Sequence, residues 1–157
     1  MALIFSALAR EHTLSVSSDG NTYTTVSGVN NFMFGRDTNL TEDTAFDSHG
    51  IRTELPTSVE FAYKFEGFER FTDVTLGTRD AGQLIVMQKA AALGNSSVIY
   101  GRLNHTTASG TLNFTARVVL DETGGGNDDL MNFNGTFYLT DRPTGTGVYS
   151  YQGGASS

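Results

Sequence analysis

Hydrophobic and polar positions alternate most regularly between residues 110 and 140. Two runs with a period of two flank a glycine-rich, acidic segment, and side chains on a β-strand point alternately to its two faces. Each run is therefore predicted to be a strand with one apolar and one polar face, and the pair to form a long antiparallel hairpin. The apolar positions are Leu112, Phe114, Ala116, Val118 and Leu120 in the first run, and Met131, Phe133, Gly135, Phe137 and Leu139 in the second.

Further strands are predicted on both sides of this hairpin. An Asp19-Gly20 pair separates two β-prone runs within residues 13–29, and such a pair is typical of a tight hairpin turn. Shorter runs at residues 31–36 and 97–104, and one near residues 143–149, fit single strands. Residues 57–68 alternate clearly again and predict a strand with one polar side. Its apolar positions are Val59, Phe61, Tyr63 and Phe65, and the opposite positions are Glu60, Ala62, Lys64 and Glu66.

One helix is predicted, over residues 80–93. Asp80 can accept hydrogen bonds as the N-cap, and Gln83 follows three residues later in the spacing of a capping box. Gly94 suits the left-handed residue that ends many helices. The periodicity places Leu84, Met87 and Ala91 on the buried stripe.

Residues 37–56 have no clear period and are predicted to form a long, polar inter-strand loop. Acidic side chains at Glu42, Asp43 and Asp47 surround a single aromatic residue, Phe46. Structureless loops of this length are uncommon in compact domains and are often functional or ordered by a partner. The loop is therefore a candidate interaction segment.

These elements predict a mainly β fold, a two-sheet β-sandwich or partial barrel with one flanking helix. At 157 residues the chain is expected to be a single domain with a sizeable core. Residues 1–12 are expected to form an N-terminal strand or arm, and residues 150–157, rich in small side chains, a mobile tail.

Composition narrows the class of function. The formal net charge is -7, which argues against a surface built to grip nucleic acid, and the absence of cysteine excludes disulfides and thiolate metal sites. No apolar segment reaches the roughly 18–20 residues that a membrane span needs. The first nine residues are apolar apart from Ser6, but they lack the basic region of a signal peptide.

Catalytic and metal-binding patterns are weak. His12, His49 and His105 are far apart in the sequence and are predicted to be exposed, and no nucleophile-elbow, zinc-protease or phosphate-loop motif is present. The glycine-acidic turn at residues 124–129 resembles half of a calcium-binding repeat, yet such repeats work in tandem and this one is single. We predict no cofactor. Five N-x-S/T sequences are interpreted as a consequence of a composition rich in Asn and Thr.

The order of motifs carries a resemblance to a known family. EGFERFTDVTLGTRDAGQ at residues 66–83 enters the predicted helix, and SGTLNFTARV at residues 109–118 begins the long hairpin. GGGNDDLMNF at residues 124–133 and PTGTG at residues 143–147 follow. Over residues 26–149 this order resembles the tail tube proteins, or major tail proteins, of long-tailed bacteriophages. The glycine-acidic turn and its flanking strands are the most specific part.

The resemblance implies a structural virion protein and not an enzyme. Its members form hexameric rings that stack into a hollow tail tube, through which DNA passes without specific binding. It implies assembly in the host cytoplasm, a final location in the virion tail, and tape measure, tail terminator and distal tail proteins as partners.

Candidate site residues follow from this resemblance and from the polar strand faces. The loop between strands is the candidate ring-ring contact, with Glu42, Asp43, Phe46 and Asp47. The hairpin turn is a second candidate contact, with Gly124, Gly125, Gly126, Asn127, Asp128 and Asp129. The candidate lumen-facing residues are Glu60, Lys64, Glu66, Asn113, Thr115, Asn132 and Asn134. A net-acidic lumen wall would repel the phosphates of DNA.

Two alternatives remain open at this stage. A secreted β-sandwich adhesin or carbohydrate-binding module would suit the Asn- and Thr-rich faces, although the chain has no Trp. A related tail component, either a terminator or the inner tube of an injection device, would differ from a tail tube protein only in its assembly.

Overall fold

The computed structural model describes residues 12–42, 51–52, 54–73, 75, 77–106, 109–122 and 131–150. The described residues form ten β-strands, one α-helix and two short 3-10 helices. The strands are β1 (His12–Ser17), β2 (Thr24–Thr25), β3 (Val29–Glu42), β4 (Glu54–Gly67), β5 (Phe71–Asp73), β6 (Thr78–Arg79), β7 (Val98–His105), β8 (Thr111–Leu120), β9 (Gly135–Leu139) and β10 (Thr144–Gly145). The helix α1 spans Ala81–Ala91, and the 3-10 helices span Gly94–Ser97 and Gly147–Tyr149.

Eight strands form one antiparallel sheet in the order β2-β1-β7-β8-β9-β4-β3, with β10 beside β8, while β5 and β6 pair separately. The sheet curls until its ends approach, and the ring of His12 in β1 packs 6.2 Å from that of Phe34 in β3. No ladder joins these two ends among the described strands, so the barrel is open. The mainly β prediction, with a partial barrel and a flanking helix, is confirmed. The large strands belong to one curled sheet rather than two.

The core fills the inside of this curl with aromatic side chains. The alternation predicted for β8 is confirmed, since Leu112 and Phe114 are buried and Asn113 between them is exposed. Met131 and Val59, assigned to apolar faces, are instead 49% and 44% exposed, because both lie outside the stretch where β9 pairs with β4. Each large side chain that is fully buried contributes roughly 1.5–3 kcal/mol. The buried aromatic residues are Phe32, Tyr63, Phe65, Phe114, Phe133, Phe137 and Tyr149.

Helix α1 begins as predicted but packs differently. Asp80 is the N-cap, and its carboxylate accepts a hydrogen bond from the backbone N–H of Gln83 at 3.2 Å. The Gln83 side chain does not complete a capping box, because it is buried and bonds to neighbouring backbone segments instead. The predicted stripe is wrong at Leu84 and Ala91, which are exposed.

A narrow contact explains the burial pattern of the helix. The buried residues are Gly82, Gln83 and Val86, so the buried face is rotated away from the one that hydrophobicity alone suggested. A side chain at Gly82 would come within 2.4 Å of the Thr25 carbonyl oxygen. The helix therefore packs closely on β2 through a glycine, which a count of large apolar residues does not reveal.

The long loop is shorter than predicted. Residues 37–42 continue β3, residues 54–56 begin β4, and the two strands pair as far as Glu42 opposite Glu54. The expected boundaries at 37 and 56 were wrong because neither face of this part of the hairpin is buried, so no alternation of hydrophobic and polar residues marks it.

Both predicted hairpins are present. Asp19 and Gly20, the latter at φ +82°, form the turn between β1 and β2. In the second hairpin β8 pairs with β9, from Ala116 opposite Leu139 to Leu120 opposite Gly135. Four predicted features lie outside the described residues. They are the turn at residues 124–129, the N-terminal segment at residues 1–11, the tail at residues 151–157 and His49.

Candidate assembly surfaces

The β3–β4 hairpin projects from the domain as a two-stranded arm. Residues 54–60 on β4 are all exposed, and so are residues 37–42 on β3. Ile51 and Arg52, which precede β4, are exposed as well. At about 3.4 Å per residue, the projecting half is roughly 20 Å long. Of the candidate ring-contact residues, Glu42 lies at the end of this arm, and Asp43, Phe46 and Asp47 lie outside the described residues.

An ion-pair cluster links the two strands at this end of the arm. Arg52 approaches Glu54 at 3.4 Å and Glu42 at 3.7 Å. The Arg52 side chain is 71% exposed, so each contact contributes little, at most about 1 kcal/mol. The arm is therefore held chiefly by its backbone ladder.

Five candidate lumen residues share the outer sheet face, the side of the eight-stranded sheet opposite the core. They come from two strands with β9 between them, so the fold brings together residues that are about fifty positions apart. Lys64 lies 3.6 Å from Glu66, and Asn113 accepts a hydrogen bond from Arg102 at 3.1 Å. These five residues are Glu60, Lys64, Glu66, Asn113 and Thr115.

The other two candidate lumen residues, Asn132 and Asn134, stabilise the base of the long β8–β9 hairpin. Asn132 donates a hydrogen bond to the Glu122 carbonyl at 2.9 Å, and the side chain of Asn134 accepts one from the Gly67 N–H at 3.2 Å. Both amides are half-buried. Their polar groups hold neighbouring backbone segments together, at the margin of the outer sheet face.

Within the described strands the outer sheet face carries no acidic excess, although the chain as a whole has a net charge of -7. Strand parity places three basic and three acidic side chains on it, which balance formally. The acidic excess of the chain therefore lies elsewhere. The basic residues are Lys64, Arg102 and Arg117, and the acidic residues are Asp37, Glu60 and Glu66.

Sequence reasoning missed four exposed apolar residues on this face, which are Met33, Leu55, Val119 and Tyr138. Tyr138 and Val119 are 52% and 53% exposed, and Tyr138 lies between Arg117 and Ala62 in the ladder. Their parity in β8 and β9 is the signal that would have found them, because both alternate with buried positions.

The two ends of the sheet differ in length. β3 runs for 14 residues and pairs with β4 on one side only, whereas β2 covers two residues of β1 at the other end. A long edge strand offers unpaired backbone groups to another chain. Within the described residues, the outer edge of β3 is the longest such surface.

The histidines do not form the separate, exposed set that the sequence predicts. His12 and His105 lie opposite each other in the β1–β7 ladder, with ring centroids 5.4 Å apart, and His105 is only 8% exposed. His12 Nδ1 is 2.5 Å from the hydroxyl of Tyr149, which fixes the closing 3-10 helix to the start of β1. Strand register, which sequence separation does not indicate, brings them together.

The chemistry available to bind ions or ligands is limited in the described residues. They contain no group of three or more His, Asp, Glu or Cys side chains placed to hold a metal ion. The described part of the chain has no helix long and apolar enough to cross a membrane.

Glu69 and Arg79 form a nearly buried ion pair at 3.0 Å, and the guanidinium also stacks 4.9 Å from the ring of Phe71. This pair joins the β5–β6 unit to the end of β4.

The fold is similar to chains of several tail assemblies. A chain in the tail of an empty GTA particle, refined with C6 symmetry, has a TM-score of 0.61 and 9% identity, covering 90% of this chain and 99% of that chain. A chain of the SPP1 tail tube has a TM-score of 0.60 and 10% identity, with coverages of 90% and 80%. A chain of the sheath-tube complex of an extracellular contractile injection system has a TM-score of 0.53 and 12% identity, with coverages of 91% and 93%.

At these identities the likeness shows a shared fold. No protein-family model matches the sequence, and no curated protein matches it either. The chain therefore has the fold found in a phage tail tube, over nearly its whole length.

Proposed function

We propose that this chain is a tail tube protein, a structural virion component that forms hexameric rings stacked into a hollow tube. The observation that carries the proposal is its fold, shared over 90% of the chain with a chain of the SPP1 tail tube. The same share of the chain matches a chain of a GTA tail with C6 symmetry.

Rings form when the long free edge of β3 pairs with the far end of the sheet in the next subunit. The support for this arrangement is the contrast between a 14-residue edge and a two-residue cover at the other end. Pairing in a closed ring removes the exposed edges. Stacking then uses the arm, including the candidate residues Glu42, Asp43, Phe46 and Asp47, together with the turn at residues 124–129.

The outer sheet face lines the lumen in this proposal. Its candidates Glu60, Lys64, Glu66, Asn113 and Thr115 supply short polar groups and charges of both signs. Tight DNA binding requires several cationic contacts to phosphates. A wall with formally balanced charge offers no continuous cationic track, and DNA therefore passes without specific binding.

The partners follow from this role. The principal partner is the chain itself, and the tape measure, tail terminator and distal tail proteins meet the tube along its lumen and at its two ends. The protein assembles in the host cytoplasm and remains in the virion tail.

Negative-stain electron microscopy of the purified chain tests the proposal. We expect rings or tubes about 100 Å wide, the size of six such domains around a channel, as the protein concentration rises. A monodisperse monomer over the whole concentration range would overturn it. Binding of that monomer to a glycan array would instead support the adhesin interpretation.

The inner tube of a contractile injection system is a second candidate function. The fold likeness to a chain of a sheath-tube complex favours it. The two candidates differ in whether a sheath surrounds the tube, so micrographs of the native particle separate them. A bare tail supports the phage tail tube, and a sheathed tail supports the injection-system tube.

A further inference from the structure

The face of the arm that continues the core carries a row of apolar side chains, and on the same face the Arg36 guanidinium stacks 5.4 Å from the ring of Phe61. Paired residues on antiparallel strands point to the same side of a sheet, and Phe34 and Tyr63 form such a pair in the core. Farther along the arm the same side carries an apolar row in which Leu40 and Val59 are 53% and 44% exposed. This row, the inner arm strip, consists of Leu40, Pro56, Val59 and Phe61.

A bulge keeps the strip on one side of the arm. Asn39 pairs with Ser58, but the next residue, Leu40, pairs with Pro56, so Thr57 is an extra residue in β4. Because side chains alternate along a strand, the extra residue returns Pro56 to the side occupied by Val59. The bulge therefore extends the apolar row by one residue pair, Leu40 opposite Pro56.

The first described residue lies at the root of this strip. The ring of His12 packs 6.2 Å from that of Phe34. Leu14, two residues later, lines the same cavity as Val29 and Phe32, near the base of β3. β1 therefore runs away from the arm, and its first residue, His12, lies on the side of the arm.

Residues 1–11 have the composition and length to cover the strip. Each of the first nine residues apart from Ser6 is apolar. Eleven extended residues span up to about 36 Å, which exceeds the roughly 20 Å of the projecting arm. The other segment at a chain end, residues 151–157, contains a single aromatic residue and otherwise small or polar ones.

We infer that residues 1–11 pack along the inner arm strip of their own chain. The tether at His12 favours the same chain over a second copy, since a short tether produces a local concentration in the millimolar range. Burial of the apolar side chains of both segments removes their surfaces from water. The strip is then unavailable to another subunit until residues 1–11 are displaced. This inference concerns the free subunit and does not depend on tube assembly.

Cross-linking of the full-length monomer tests the contact directly. The chain has no cysteine, so Ser6→Cys combined with Thr38→Cys introduces only the chosen pair of thiols. We expect a short bismaleimide to join the two within one chain, as identified by mass spectrometry of the monomer band. The matched control combines Ser6→Cys with Asn95→Cys, at the opposite end of β7 from His105, and should give little product.

The alternative outcomes are decisive. Cross-linked dimers in place of internally linked monomers would overturn the inference in favour of a second copy. Equal products from the two pairs, or none from either, would overturn it as well. The expected cross-link together with no tubes from the unlinked protein would reject the proposed function alone, and tubes from the unlinked protein without this cross-link in the monomer would reject the inference alone.

Truncation provides a second measurement. Deleting residues 2–11 should accelerate hydrogen exchange several-fold in peptides covering residues 36–42 and 54–61, and should increase self-association in sedimentation velocity. Adding Leu40→Asp to the truncated chain should reverse the self-association. Deleting residues 151–157 is the matched control and should change neither property. Unchanged exchange in the arm after deletion of residues 2–11 would contradict the inference.

Discussion

Asp19 shows how a single exposed carboxylate can organise a turn. It accepts hydrogen bonds from the backbone N–H groups of Asn21 and Thr22, at 2.8 and 3.1 Å, and from the Ser17 hydroxyl at 2.8 Å. These bonds, with that from Asn21 the largest cause, lower the pKa of Asp19 from 3.8 to about 2. The ionised form is therefore favoured by folding.

The lowered pKa predicts a pH dependence of stability. Because the folded-state pKa lies below the unfolded value, the stabilisation is complete above pH 3.8 and is lost as the pH falls through about 2. We expect Asp19→Ala to lower the urea midpoint at pH 7, with the difference from wild type shrinking as the pH approaches 2. Asp121→Asn, at another exposed carboxyl, is the control. A difference between Asp19→Ala and wild type that does not change with pH would contradict this explanation.

Gln83 has a structural role that its position in a helix does not suggest. Its side-chain amide donates to the carbonyls of Ser27 and Phe68, at 2.7 and 2.8 Å, and accepts from the N–H of Arg70 at 3.0 Å. The side chain is fully buried. One residue thus joins α1 to two separate connections between strands.

Removal of this amide should be costly. Gln83→Ala leaves buried backbone groups without partners, and each such group costs about 1–3 kcal/mol. We expect a loss of about 2–4 kcal/mol in the free energy of unfolding, measured by urea denaturation. Gln88→Ala, on the exposed side of the same helix, should change stability by less than about 0.5 kcal/mol. Equal effects of the two substitutions would show that the network contributes little.

The arm illustrates how a regular element can lack a sequence pattern. Both of its faces meet solvent, and hydrophobic alternation arises only where one face is buried. The ladder continues because backbone hydrogen bonds do not depend on side-chain polarity. The arm therefore contributes little to the core.

Because the arm contributes little to the core, we expect the subunit to remain folded when the arm is shortened. Deleting residues 41–50 leaves residues 51–55 to connect Leu40 with Pro56, and the two described residues that it removes, Thr41 and Glu42, are both exposed. We expect an unchanged circular dichroism spectrum and a folded subunit that no longer stacks into tubes. Arg52→Ala, which removes only the ion pairs at the end of the arm, is the control and should still form tubes. Normal tubes from the deletion variant would remove the arm from the proposed ring contact.

Charge is distributed unevenly over the whole molecule. The net charge is -7, yet the outer sheet face carries equal numbers of basic and acidic side chains. On the arm, Asp37 and Glu60 lie directly opposite each other, and such like-charge pairs are destabilising by roughly 0.2–1 kcal/mol. A lumen role would explain why this arrangement is tolerated.

Charge reversal at Glu60 tests that role. Glu60→Lys faces Asp37 with an opposite charge, so the subunit should remain folded and form tubes. The added cation attracts phosphate, and we therefore expect slower DNA ejection from particles built with this variant, with a stronger effect at low salt. Asp73→Lys changes the net charge equally in β5, outside the eight-stranded sheet, and should leave ejection unchanged. Normal ejection with Glu60→Lys would exclude Glu60 from the lumen wall.

Local patterns in the chain were sufficient for much of the fold. The alternation at Leu112–Phe114, the Asp19-Gly20 turn and the Asp80 N-cap each depend on neighbours within a few positions, and the structure confirms all three. The mainly β class and the flanking helix follow from such local features. The resemblance in motif order also agrees with the fold shared with a phage tail tube.

Long-range geometry accounts for the rest. The contact of His12 with His105, the bonds of Gln83 and the balanced charge of the outer sheet face join residues from distant parts of the chain. Strand register and sheet order control these contacts, and neither leaves a local mark on hydrophobicity. The paired strands of the arm also leave no pattern of hydrophobicity in the sequence, because both of their faces are exposed to solvent. The sequence thus specifies which segments become strands through burial of one face, while the closure of the sheet specifies which residues meet.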